Sequence, residues 1–165
     1  MLELIDSKKA VPANDFTVID SANRSIKLSD YRDKKNVVLV FNRGFFWPHC
    51  RRHMEQLLQD YQKFVETNSE VLIIGPESAE EFAKWWQEHK MPFIGIPDPN
   101  HNIAKLYNQD IRPFYGGRLP AMVVIDKGFK IWTSYFSGSP SDIPSDAEVL
   151  NFLDNLNKET ASNNN

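Results

Sequence analysis

The sequence predicts an α/β fold, a mixed β-sheet flanked by helices and preceded by an N-terminal β-hairpin. Three observations carry this. Apolar, largely β-branched runs at 37–41, 71–75 and 121–125 have the composition of strands buried on both faces. Helix-period stripes separate and follow them. Two Ser-x-x-Glu boxes, Ser78 with Glu81 and Ser145 with Glu148, mark helix starts.

Phe16–Asp20 and Ser25–Leu28 alternate around Ala22-Asn23-Arg24 and read as the hairpin. Pro48 suits the first turn of a helix, where a missing N–H costs nothing. Its apolar stripe is Cys50, Met54, Leu57, Leu58, Tyr61 and Val65. Phe82, Trp85, Trp86 and His89 form the inner face of the next helix. Adjacent Trp85 and Trp86 point in different directions, so at least one belongs to the core. A short strand is expected at Phe93–Ile96 and a short helix at Asn102–Tyr107. Asp126-Lys127-Gly128 turns the third run back into Lys130–Tyr135. Val149, Phe152, Leu153 and Leu156 complete a last amphipathic helix.

The chain has 165 residues, consistent with one domain, drawn here as 1–158 with a disordered polar tail at 159–165. Nineteen basic against 22 acidic side chains give a net charge of −3, which argues against nucleic acid or a membrane surface as the main partner. No apolar run approaches the ~18 residues of a membrane span, and the first residues lack a signal pattern. The expected location is cytoplasmic. The single cysteine, Cys50, forbids an internal disulfide, so any redox cycle needs a partner thiol.

A strand running into Arg43-Gly44-Phe45-Phe46-Trp47-Pro48-His49-Cys50-Arg51-Arg52 at a helix start resembles the peroxiredoxin-like branch of the thioredoxin fold. This is the alkyl hydroperoxide reductase/thiol-specific antioxidant, or redoxin, family. That branch commonly shows a strand, Arg-Gly, an aromatic residue and Cys-Pro-x-Cys-Arg. Lys27-Leu28-Ser29-Asp30-Tyr31-Arg32 and Pro120 through Val124-Ile125-Asp126-Lys127-Gly128 match two further family segments, so the similarity runs from about Asp15 to Leu156. It implies a thioredoxin-like sheet, a peroxide or disulfide substrate, an external thiol reductant and no cofactor. The first cysteine of the motif, which attacks the substrate in the family, is here Trp47. The family's Thr or Ser three residues earlier falls at Gly44. The family's Arg falls near Pro120, with Arg118 close by. Pro120 is expected to be cis and to face the helix N-terminus. Arg43, Trp47, Pro48, Arg118 and Pro120 would shape the site, with Arg43 and Arg118 bracketing the ligand.

Cys50 supports two readings. His49, Arg51, Arg52 and His53 surround it at a helix N-terminus, which favours a thiolate and a single-cysteine redox centre with antioxidant activity. It also lies on the helix's apolar stripe, as an inert packed cysteine would. The alternative function is therefore a non-catalytic redoxin serving binding or regulation. His49 and His53, spaced i,i+4, are weak metal-ligand candidates with no further ligand evident, so no metal is expected. The residues leave the oligomeric state open.

Overall fold

The computed structural model describes residues 2, 7–109, 111, 112, 114 and 116–163. Asp110, Pro113 and Tyr115 ahead of Pro120, the first residue with 3–6, and the last two residues of the expected tail lie outside them. The elements are β1 (Val11–Pro12), β2 (Thr17–Ile19), β3 (Ser25–Lys27), β4 (Asn36–Phe41), α1 (Pro48–Glu66), β5 (Ser69–Gly75), α2 (Ala79–Glu88) and β6 (Ile94–Pro97). They continue with α3 (Asn102–Leu106), β7 (Ile111–Arg112), β8 (Gly117–Arg118), β9 (Ala121–Ile125), β10 (Lys130–Phe136) and α4 (Asp146–Ser162).

Six strands form the main sheet in the order β1-β10-β9-β4-β5-β6. β4 runs parallel to β5, and β5 to β6; β9 pairs antiparallel with β4 and β10. The sheet is thus mixed, and the two runs expected at its centre are there. Both are wholly apolar because helices or loops cover both faces. The pleat sorts alternate residues. Val38, Val40, Val71, Ile73, Met122 and Val124 face a core completed by α1, α2 and α4. Val37, Leu39, Phe41, Leu72, Ile74, Val123 and Ile125 face a second core closed by α3 and the β2–β3 side.

Both capping boxes form as the sequence indicates, with each serine accepting from the backbone N–H of its glutamate. The stripe of α1 differs in its second half. Leu58 and Val65 are exposed, and Phe64 is the residue driven into the core. His89 is exposed rather than inward and stacks on Trp85 at 3.9 Å between ring centroids. Trp86 and Trp132 are core residues. α4 continues to Ser162, so residues 159–162, expected in the tail, are helical.

Candidate functional site

β4 delivers Asn42, Arg43 and Gly44 directly to the N-terminus of α1. Trp47 is the N-cap residue and Pro48 occupies the first turn, where its missing N–H breaks no bond. Gly44 has φ 135°, a conformation side chains rarely adopt, and a Cβ there would lie 3.0 Å from Glu77 Oε1. The Thr or Ser the family places here is therefore excluded by backbone shape. Asn42 Oδ1 holds the turn by accepting from the Gly44 N–H at 2.9 Å, and Glu77 Oε1 accepts from the Phe45 N–H at 2.5 Å. Burial pushes the Glu77 carboxyl above its ordinary range.

The expected site residues separate into two groups. Arg43, Trp47 and Arg118 form the first. The Arg43 guanidinium lies 3.9 Å from the Trp47 ring centre, a cation–π contact, while its Nε donates to the Arg118 carbonyl at 3.0 Å. Gly116, at φ 76°, lies against the indole; a Cβ there would fall 2.8 Å from Trp47 Cζ2. Arg118 itself is only 2% exposed. Its Nη2 donates to the Asp98 carbonyl and its Nε to His101 Nδ1 at 2.8 Å, with the Asp98 carboxylate 3.4 Å away. Burial, then the Arg118 charge, holds His101 below its usual range.

Cys50, His49, His53 and Pro120 form the second group. They line a cavity of about 550 Å³ between the first turns of α1, the ends of β4 and β9, and the 140–147 segment entering α4. Trp47, Arg43 and Arg118 do not line it. The Leu119–Pro120 bond is trans, since the described residues contain no cis peptide; the expectation of a cis proline is corrected here. Cys50 is 7% exposed. Burial raises its thiol above the ordinary value, against the opposing pull of the Arg43 and Gly44 backbone N–H groups and the Arg43 charge. The basic neighbours seen in sequence do not reverse this. His49, Arg51 and Arg52 are exposed, so water screens them.

The same cavity holds residues that sequence reasoning missed. Asp146 is 4% exposed, and neither carboxylate oxygen has a hydrogen-bond partner among the described residues. His53 Nε2 lies 3.5 Å from Asp146 Oδ1. Asp60 accepts from Gln56 at 2.9 Å and from Lys63 at 2.7 Å. Among the described residues no three His, Cys, Asp or Glu side chains converge as a metal site, so His49 and His53 gain no third ligand. No helix among them is long and apolar enough to cross a membrane.

Residues 10–133 match the AhpC/TSA family. The chain is 26% identical over 96 residues to peroxiredoxin Bcp of Bacillus subtilis, covering 58% of this chain and 60% of that protein. It is 36% identical over 102 residues to peroxiredoxin 2 of Caldanaerobacter subterraneus subsp. tengcongensis, covering 58% and 45%. The match thus spans about half the length of these relatives. The fold is similar to the mitochondrial 2-Cys peroxiredoxin of Plasmodium falciparum, with TM-score 0.78 and 21% identity over 93% of this chain and 96% of that one. It is also similar to peroxidoxin BcpB of Mycobacterium tuberculosis, with TM-score 0.76 and 19% identity over 87% and 94%.

Proposed function

The chain belongs to the AhpC/TSA family, and on that footing we propose that it is a slow, single-cysteine thiol redox protein. Cys50 is the reacting group, a peroxide or disulfide is the substrate, and an external thiol restores it. The observation that carries this reading is that Cys50, though buried, lines an open cavity together with Pro120. A small oxidant held in that cavity lies against Cys50.

The cycle needs no second cysteine. The Cys50 thiolate attacks the peroxide O–O bond, giving the Cys50 sulfenate and releasing an alcohol or water. A thiol condenses with the sulfenic acid, giving a mixed disulfide and water. A second thiol then displaces the first as a disulfide and frees Cys50. Turnover is slow because burial keeps the thiol protonated near neutrality. The reading places the protein in a reducing, thiol-supplied compartment such as the cytoplasm.

A second reading, a non-catalytic redoxin serving binding or regulation, is favoured by the same burial and by Trp47 at the attacking position. Peroxide consumption with a dithiol reductant separates the two. Slow turnover that disappears in Cys50→Ser, with oxidised protein appearing as sulfenic acid, mixed disulfide or intermolecular dimer, supports the redox reading. Equal rates in the two proteins support the second.

A further inference from the structure

We propose that His53 is the proton relay of Cys50: its Nδ1 takes the thiol proton and hands it to the oxygen that leaves a peroxide, while Asp146 holds the ring. This rests on the reading of Cys50 as a redox centre and adds a catalytic residue to it, with Asp146 as a positioning residue.

The chemistry asks for such a group. Burial keeps the Cys50 thiol protonated near neutrality, so its attack needs a proton acceptor. A hydroperoxide then releases a strongly basic oxygen, which needs a proton donor. His53 is placed to be both. It is one helical turn beyond Cys50, about 5–6 Å between Cβ atoms, and the two residues line the same cavity of about 550 Å³. Side chains on a helix lean toward its N-terminus, so the imidazole covers the turn that carries Cys50.

The His53 side chain is 10% exposed, and its two nitrogens differ. Nε2 is sealed from solvent, has no hydrogen bond among the described residues, and lies 3.5 Å from Asp146 Oδ1. Nδ1 is neither sealed nor hydrogen-bonded among the described residues, so it is the nitrogen open to the cavity. A carboxylate facing Nε2 draws the ring proton to that side and leaves the Nδ1 lone pair to act as base. Contacts of this kind are commonly long until the reacting complex forms. Asp146 comes from the first turn of α4, so it fixes the ring from a second helix and meets the positive charge that forms on it. Beside Asp146 stands Asp60, held by Gln56 at 2.9 Å and Lys63 at 2.7 Å. The other cations of the cavity, His49 and Arg52, are exposed, and water screens them.

The step balances. Cys50–SH and ROOH give Cys50–SOH and ROH. The sulfur's electron pair attacks the terminal oxygen, and the S–O bond forms as the O–O bond breaks. Sulfur is oxidised and the peroxide reduced. The thiol proton passes through Nδ1 to the departing RO⁻, and His53 ends as it began.

The test uses the reduced full chain and two oxidants: hydrogen peroxide, whose leaving hydroxide needs a proton, and peracetic acid, whose leaving acetate does not. Sulfenic acid at Cys50 is trapped with dimedone and followed by intact mass. The ratio of the hydrogen peroxide rate to the peracetic acid rate is compared with that of a small model thiol. The wild-type ratio should exceed the model thiol's by about 10²-fold, the lower end of general acid–base catalysis. His53→Gln, whose amide can still donate to Asp146, should return the ratio to the model value while changing the peracetic acid rate by less than about threefold. Asp146→Asn should lower the ratio partway. Equal slowing of both oxidants in His53→Gln would make His53 a packing residue of the α1–α4 contact and overturns the proposal. So does a wild-type ratio within about threefold of the model thiol's, a comparison that needs no variant should His53→Gln fail to fold. In that case Cys50 is still oxidised, so the relay falls and the redox reading stands. If neither oxidant modifies Cys50, both fall.

Discussion

Replacing Trp47 by cysteine puts a thiol at the N-cap of α1, three residues before Cys50, with Pro48 between them. Cysteines at helix N-termini and in Cys-x-x-Cys pairs have pKa values of about 3.5–7.5, against about 8.5 for a free thiol. A fall of two units is worth about 2.7 kcal/mol and raises the thiolate fraction at pH 7 from about 3% to about 75%. Arg43 adds to this. Its guanidinium, now 3.9 Å from the Trp47 ring centre, is left beside the new thiolate. The substitution forfeits that cation–π contact, about 0.5–2 kcal/mol, and the packing of the indole against Gly116. The fold has other anchors at this corner in the Gly44–Asn42 and Phe45–Glu77 bonds. Residue-resolved alkylation across pH, with dithiol-dependent peroxide consumption, measures both effects. The expected outcome for Trp47→Cys is a new thiol titrating well below Cys50 and a clear gain in turnover. A new thiol titrating no lower than Cys50 refutes the reasoning, because helix terminus and guanidinium would then have failed to outweigh desolvation.

Two further outcomes follow from the same geometry. Because burial raises the Cys50 thiol, its alkylation should still be climbing with pH above about pH 8.5, and a plateau below about pH 8.5 would contradict the burial seen here. Gly95→Ala in β6 would bring a methyl within 2.4 Å of the Phe82 ring and 2.7 Å of the Trp86 ring, a cost of about 1–3 kcal/mol. Thermal unfolding should show a Tm lower by several degrees, and an unchanged Tm would mean that α2 can move off the sheet freely.

The fold was legible because its signals are local. The run Val37–Phe41 is apolar at every position, and each Ser-x-x-Glu box needs only four residues to close. The stripe of α1 was legible through Cys50, Met54 and Leu57; it continues at regular spacing through Tyr61 to Phe64, which packs against Phe93, while Leu58 and Val65 lie one position off it and face outward. The Arg43–Trp47 contact follows from neighbours in sequence. The Asp146 site does not. Asp146 is a first-turn acidic residue of the kind found on exposed helix starts, and it becomes a buried carboxylate only because α4 packs across α1. Arg118 was marked by its place before β9, but its partners Asp98 and His101 come from the β6–α3 turn. Basic residues near Cys50 suggested a low thiol pKa, yet burial decides the direction.

The place of β9 in the sheet governs how the chain is made. β9 lies between β4 and β10, and its residue Ala121 pairs with Phe41, about 80 residues earlier. A ribosome adding about 5–20 residues per second needs roughly 4–16 s to cover that interval. During it the emerging β4 has β5 on one side and an unsatisfied row of backbone N–H and C=O groups on the other. Every side chain of that strand is destined for the interior, so the nascent chain carries an adhesive apolar edge until its last third appears. Chaperone capture, or self-association on slowed translation, is the exposure this topology creates.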